Sequence, residues 1–382
     1  MSTHTVINQP PPLIHNTFTD DAALIDAVAA FGGQPDETGL VELGELAGSE
    51  QAREWGRLAN EITPVLRTHD RYGNRIDEVE FHPAWHELMT VAVAHGLHAA
   101  PWTADDKAAH VHRAAKFITW AEVEAGHGCP ISMTYAAIPA LRVDAEGTRD
   151  WVQGLTSREY DFGLRAPQSK TGLIAGMAMT EKQGGSDVRT NTTVATPTDD
   201  GYLLTGHKWF CSAPMSDVFL VLAQAPGGLT CFIVPRVLPD GTRNVFEIQR
   251  LKDKLGNRSN ASSEIEFNGT WAQRLGEEGR GVRTIVEMVS ATRLDTVLGS
   301  TGLMRKALSE AIWHAEHREA FGARLIDQPL MRQVLADMAL EVEAATWLGI
   351  RLAHAVDASS AGSSEQAAFR RIALPMSKYY VC

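Results

Sequence analysis

Cysteine is scarce in this chain. Its four copies, Cys129, Cys211, Cys231 and Cys382, are scattered without a C-x-x-C pair. That spacing excludes a disulfide frame and a four-cysteine zinc site, and it reads as reduced, mostly buried thiols in a cytoplasmic protein. No window approaches eighteen consecutive apolar residues, so the sequence offers no membrane-spanning helix. The N-terminus MSTHTVINQPPPLIH lacks the basic start and apolar core of a signal peptide. Basic runs never exceed two residues, and 47 acidic against 35 basic side chains give a formal net charge of −12. Such a chain has no evident surface for displacing phosphate counterions from nucleic acid. Also missing are a G-x-G-x-x-G after a strand, a G-x-x-x-x-G-K-[ST] loop, a G-x-S-x-G elbow and an H-E-x-x-H pair. Dinucleotide folds of the Rossmann type, P-loop sites, α/β-hydrolase chemistry and zinc proteases are thereby disfavoured. His82 and His86 have i, i+4 spacing but no third ligand nearby, so no metal site is expected.

What remains is ordinary globular material. At 382 residues, 44% apolar and 21% charged, the chain is long enough for two or three domains. Residues 1–19, with Pro10-Pro11-Pro12, should be extended over a surface. From Asp20 the apolar period is helical, with Asp20 or Asp21 as a cap, and further helices are expected around 48–62, 82–96, 104–126 and 147–156. Near Gly172 the pattern changes to short apolar runs: Leu173-Ile174-Ala175, Tyr202-Leu203-Leu204, Val218 to Leu222, Cys231 to Val234 and Ser263 to Phe267. Turn signals at Asp199-Asp200-Gly201, Pro226-Gly227-Gly228 and Pro239-Asp240-Gly241 separate them, which predicts a compact antiparallel β domain. After Gly279 the helical period returns and runs to the end. The expected class is α+β with segregated layers: a helical domain over 1–172, a β domain over 173–275 and helices over 276–382.

Two strings carry chemistry. Met177-Ala-Met-Thr-Glu-Lys-Gln-Gly-Gly-Ser-Asp187 is an apolar strand running into hydroxyls and a glycine pair. Gly201-Tyr-Leu-Leu-Thr-Gly-His-Lys-Trp-Phe-Cys-Ser212 follows about twenty residues on. Small residues at the end of a strand let backbone N–H groups approach a ring or phosphate closely. Either string alone is an ordinary strand and turn. Together and in this order they resemble the flavin-contacting signature of the acyl-CoA dehydrogenase family.

Further strings fit the resemblance. Leu251 to Ser262 (LKDKLGNRSNAS) resembles the family's K-x-G-x-R-x-S loop, and Arg318-Glu-Ala-Phe-Gly322 resembles its R-x-x-F-G motif. With Lys182-Gln183 and His4 to Pro10, the chain looks like the AidB branch, the alkylation-response flavoproteins related to isovaleryl-CoA dehydrogenase. The resemblance implies the family fold, FAD as cofactor, α,β-dehydrogenation of an acyl-CoA thioester and a homo-oligomer, dimer or tetramer. It implies that Met177, Met179 and Thr180 meet the flavin pyrimidine edge, with Ser186 near a phosphate or the thioester. Phe210 and Cys211 would lie at the isoalloxazine, and Ser212 at flavin N5. Arg318, Phe321 and Gln328 would complete the cofactor site of a neighbouring subunit, although Gln328 stands seven rather than eight residues after the phenylalanine. The family's catalytic glutamate has two alternative positions. At one of them this chain has Thr292, with Asp295 one helical step away. The other is expected beyond Cys382, as is a region implicated in DNA binding, so the chain reads as C-terminally shortened, and little or no dehydrogenase activity is expected of it as given. The alternative function is a flavin-bearing protein that binds DNA and limits alkylation damage with little turnover.

Overall fold

The computed structural model describes residues 3–33 and 38–382. Along the chain come helices α1 (Ala22–Gly32), α2 (Leu40–Ala47) and α3 (Glu50–Glu61), then strands β1 (Val65–His69) and β2 (Arg75–Glu80). Helices α4 (Pro83–Ala94), α5 (Ala100–Thr103), α6 (Ala109–Ala121), α7 (Gly128–Leu141) and α8 (Arg149–Leu155) follow. The strand region holds β3 (Ala175–Ala178), β4 (Val194–Thr198), β5 (Gly201–Ser212), β6 (Val218–Ala225), β7 (Gly228–Pro235), β8 (Glu247–Leu251) and β9 (Ser262–Leu275). Helix α9 (Gly281–His317), the two-residue strands β10 (Glu319–Ala320) and β11 (Ala323–Arg324), α10 (Pro329–Ser360) and α11 (Ser364–Val381) complete the order. No helix among the described residues is long and apolar enough to cross a membrane.

The chain divides into two compact units. One gathers the segment ending at Arg53, Asp105–Val123 and Arg293–Cys382; the other holds Glu54–Ala104 and Glu124–Thr292.

In the first unit α6 is the central element, buried along nearly its whole length. Its first turn is capped from another helix: Asp357 accepts from the His110 backbone N–H at 3.0 Å, the Val111 N–H at 3.2 Å and His110 Nδ1 at 2.7 Å. One carboxylate thus satisfies N–H groups that the helix leaves unpaired. Of the two caps the sequence offers, Asp20 and Asp21, it is Asp21 that caps α1, accepting from the Leu24 N–H at 3.1 Å. The extended arm is pinned by its backbone, with Pro11 O accepting from Trp313 Nε1 at 2.7 Å.

The second unit is built on a seven-stranded sheet in the order β3-β6-β4-β5-β9-β7, with β8 on β9. A β6–β7 pairing closes β4, β5, β9, β7 and β6 into a ring. Five of the pairings are antiparallel, but β3 and β4 each pair with β6 in parallel. The expected all-antiparallel domain is corrected there: β3 reaches β6 only after the chain has passed through β4 and β5, so no hairpin dictates its direction. Strand β6 shows why its run is uniformly apolar. Leu220 and Leu222 enter one core with α7 and α8, while Phe219, Val221 and Ala223 enter a second core on the other face. Burial on both faces removes the polar alternation of a half-exposed strand.

Two elements depart from the sequence reading. The hairpin β1–β2 fills the gap between the helices expected around 48–62 and 82–96, inside a domain expected to be wholly helical, its register set by pairs such as Val65↔Glu80. Helix α7 falls just beyond the expected 104–126 helix, which itself ends at Ala121.

Candidate functional site

Strand β3 runs into the first motif and β5 carries the second. They meet where Trp209 N–H donates to Thr180 O at 2.8 Å. Beneath that contact lies a fully buried ion pair, Lys208 Nζ to Glu181 Oε1 at 2.8 Å. Lys208 also donates to Leu222 O at 2.7 Å. The Glu181 carboxylate takes further hydrogen bonds from Gln183 Nε2 and from the N–H and hydroxyl groups of Thr192 and Thr193, at 2.6–3.1 Å. Burial works to raise the Glu181 pKa, but Lys208 and these donors outweigh it and hold the carboxyl well below its usual range. The motif's glutamate and lysine therefore lock the two strings together, a role the sequence reading did not assign.

Between the hydroxyls of the first string the chain turns through Glu181–Gly184, and Gly184 has φ +134°. A Cβ on Gly185 would sit 2.4 Å from Thr180 Oγ1, so only glycine allows this approach. The Thr180 hydroxyl makes no hydrogen bond among the described residues. Ser186 is exposed on the same loop.

The second string carries an irregularity. Pairing of β5 with β9 shifts register between Lys208 and Cys211. Such a bulge re-aims side chains. Lys208 and Cys211 are buried on either side of it, while Phe210 is 52% exposed, an unusual placement for an aromatic ring inside a sheet. Lys252 Nζ lies 3.5 Å from the Trp209 ring centroid and 4.4 Å from that of Phe210, anchored by Glu264 at 2.7 Å. Cys211 itself faces the second core, and burial pushes its thiol up to about 12. Only its backbone is placed to meet a ligand.

At the end of β5, Ser212 Oγ lies 3.1 Å from Ser262 Oγ on β9. Lys254 Nζ donates to Asn260 O at 2.6 Å, Asn257 O at 2.8 Å and Ser262 Oγ at 3.2 Å. The Cys129 thiol of α7 is in hydrogen-bond reach of Ser212 and Asn260, and burial raises its pKa. Asn260 Oδ1 is buried without a hydrogen-bond partner. Glu124 anchors the adjacent turn, accepting from Ser259 Oγ and the Gly126 N–H at 2.7 Å each. Lys254 and Ser262 lie in the 251–262 string that the sequence reading quoted without giving either a role, and Cys129 was read only as a buried thiol. The strand pairing that opposes Ser262 to Ser212 is not written in the sequence.

One unit thus gathers Met177, Met179, Thr180, Ser186, Phe210, Cys211 and Ser212. Arg318, Phe321 and Gln328 belong to the other unit. There the arm residue Asn8 brackets the R-x-x-F-G motif: its O accepts from Arg318 Nη1 at 2.8 Å and its Oδ1 from the Glu319 N–H at 2.7 Å. Phe321 has φ +55° and is 98% exposed, and Gln328 Nε2 donates to Ala320 O at 3.0 Å. Asp295 is held in a fully buried two-point pair with Arg113, one arm at 2.7 Å, which rules it out as an open base. The Thr292 hydroxyl donates to Val289 O at 3.0 Å within its own helix.

A half-exposed ring beside unspent hydroxyls, a glycine approach and an orphaned buried acceptor suit a planar heterocycle with hydrogen-bonding edges. These residues fit a flavin.

Known proteins resemble the chain along most of its length. The adaptive response protein AidB N-terminal domain matches residues 8–162, the acyl-CoA dehydrogenase middle domain 176–270, and the acyl-CoA dehydrogenase C-terminal domain 279–382. The chain is 49% identical to AidB of Escherichia coli (strain K12) over 384 residues, covering 100% of this chain and 71% of that protein. It is 29% identical to acyl-CoA dehydrogenase family member 11 of Caenorhabditis elegans over 394 residues, covering 98% of this chain but only 63% of that one. Among solved structures, C. elegans ACDH-11 in complex with C11-CoA superposes with a TM-score of 0.91 at 28% identity, covering 100% of this chain and 67% of that chain. The apo-form of Bd2924 gives 0.90 at 30% identity, covering 98% and 77%. The chain belongs to the acyl-CoA dehydrogenase family, in its AidB branch, and has that family's fold of helical, β and helical parts.

Proposed function

We propose that this AidB-type member of the acyl-CoA dehydrogenase family holds FAD against Phe210 and oxidises an acyl-CoA thioester. The observation that carries the reading is the β5 bulge, which presents Phe210 to the outside directly beside the Thr180 backbone and two residues before Ser212. Phe210 would pack on the isoalloxazine, while Thr180 and the backbone of Met177, Met179 and Cys211 serve its polar edges. Ser212 would donate to N5, and Ser186 would lie near a phosphate or the thioester. Arg318, Phe321 and Gln328 would act on the FAD of a second copy, the guanidinium clamping phosphate oxygens and the exposed ring packing on the cofactor. When bound, the flavin supplies the two-electron acceptor for β-hydride removal. The protein's share is to orient the thioester, exclude water and donate hydrogen bonds where charge develops. That a thioester is the substrate is supported by the C. elegans relative, whose structure holds C11-CoA.

The test is titration of the purified protein with FAD, followed by anaerobic mixing with isovaleryl-CoA and a series of longer acyl-CoA thioesters. Stoichiometric uptake of FAD is expected, followed by only slow thioester-dependent bleaching of its visible absorbance, because Thr292 carries no carboxylate and Asp295 is spent on Arg113, and a missing general base costs about 10²–10⁴-fold. Saturation with acyl-CoA but not with FAD would sink the reading.

A further inference from the structure

We propose that Lys254 is a positioning residue that sets the direction of the Ser212 hydroxyl, so that a hydrogen-bond donor is presented to the flavin N5 edge. The inference rests on the flavin reading above, and goes beyond it in assigning a role to the Lys254–Ser262–Ser212 chain.

A pair of serine hydroxyls is ambiguous by itself, since either oxygen can donate to the other. Ser212 and Ser262 sit opposite each other in the β5–β9 register, with their Oγ atoms 3.1 Å apart, so the strands fix the pairing but not its direction. Lys254 removes the ambiguity. Its ammonium has three hydrogens and no lone pair, and three acceptors surround it: Asn257 O at 2.8 Å, Asn260 O at 2.6 Å and Ser262 Oγ at 3.2 Å. Ser262 must therefore accept from Lys254, which leaves its own hydrogen for Ser212. Ser212, having accepted, keeps a hydrogen to give outside the pair. In the protein alone the Cys129 thiol is within reach of that hydroxyl. A sulfur is a weak acceptor and gives way to a ring nitrogen.

The environment supports a charged Lys254. Burial lowers its pKa, while the negative charge of Glu124 opposes that shift. Two backbone carbonyls on the ammonium favour the cation further. A positive charge at the head of the chain polarises both hydroxyls and strengthens the last donor, as charge-assisted hydrogen bonds do.

The prediction is tested with FAD and 5-deaza-FAD, in which N5 is replaced by a C–H that accepts no hydrogen bond. The ratio of the two dissociation constants isolates the N5 contact, because a general loss of structure weakens both flavins alike. The wild-type protein is expected to favour FAD about tenfold. In Ser262→Ala and in Lys254→Met the preference should fall to about twofold, and Ser262→Thr should restore it. Lys254→Met also loses the tie to the 257–260 turn and should weaken both flavins, whereas Ser262→Ala keeps that tie. A Ser262→Ala protein that retains the wild-type preference, or a wild-type protein without any, overturns the proposal. Failure of the wild type to bind either flavin overturns the flavin reading itself, a different and separately visible result.

Discussion

At the scale of single residues, the buried charges decide most. Lys208 and Glu181 are both fully buried and lock two loop-bearing strands. Replacing Lys208 with Met leaves a buried carboxylate uncompensated, which costs about 3–5 kcal/mol. Because the folded pKa of Glu181 is depressed, its contribution is present above the ordinary carboxylate range and is lost as pH falls towards the folded value. Urea unfolding should show the Lys208→Met penalty near neutrality and a smaller one in acid, where protonation relieves the orphaned carboxylate. Glu122 is the opposite case. Burial, opposed by Arg305 and reinforced by Asp21, raises its pKa from 4.5 to about 8, and neither of its oxygens has a hydrogen-bond partner. Here folding favours the protonated form, so the stability it contributes is complete below about pH 4.5 and is lost as pH rises through 8. Glu122→Gln keeps the shape without the charge. It should be more stable than wild type at about pH 9, by up to about 5 kcal/mol, with little difference near about pH 5. Parallel unfolding curves at both values would contradict the assignment.

At the scale of elements, turns and alternation explain what the sequence could and could not convey. The β strands were legible where an apolar run ends at a Gly or Asp turn, as at Val218 to Leu222 and Cys231 to Val234. Helix α7 was not, since Gly128 and Pro130 read as breakers and the segment is buried almost all round, which erases the 3.6-residue stripe. The hairpin β1–β2 was hidden for the converse reason. Its burial pattern contains only two fully buried positions, Val79 and Asp77 among polar neighbours, too few to show a period. The Gly184–Gly185 loop was legible as a close-approach element, and the structure supplies the reason in the contact that Gly185 makes with Thr180. Gly185→Ala should force Thr180 to rotate away. The loop is exposed, so the melting temperature should barely move, while FAD affinity falls about tenfold, the loss of one good hydrogen bond with some misfit. Fluorescence titration beside a thermal melt checks both halves. Equal affinity in the variant would remove Thr180 from the site.

At the scale of the whole molecule, motifs that lie far apart in sequence were readable as strings, but their physical partners were not. The R-x-x-F-G string stood out, yet nothing in it pointed to Asn8, some three hundred residues away, which grips Arg318 and Glu319 from the N-terminal arm. That grip has a use. A ring as exposed as Phe321, at a positive φ and on a short turn, contributes nothing to its own core. With the start of its motif tied to the arm through Arg318 and Glu319, the ring is suited to pack on something outside the chain. We expect that to be the FAD of a second copy, with the assembly at least a dimer. Two consequences follow from mass action. FAD affinity should fall as the protein is diluted through its own association range, because a cofactor held by two copies is linked to their assembly. Phe321→Ala should weaken FAD by about tenfold, within the 1–3 kcal/mol range of a buried aromatic contact, while leaving the melting temperature of the flavin-free protein unchanged. Sedimentation velocity run with and without FAD measures the coupling directly. A monomer that keeps stoichiometric FAD at every concentration would show that Phe321 serves some other surface.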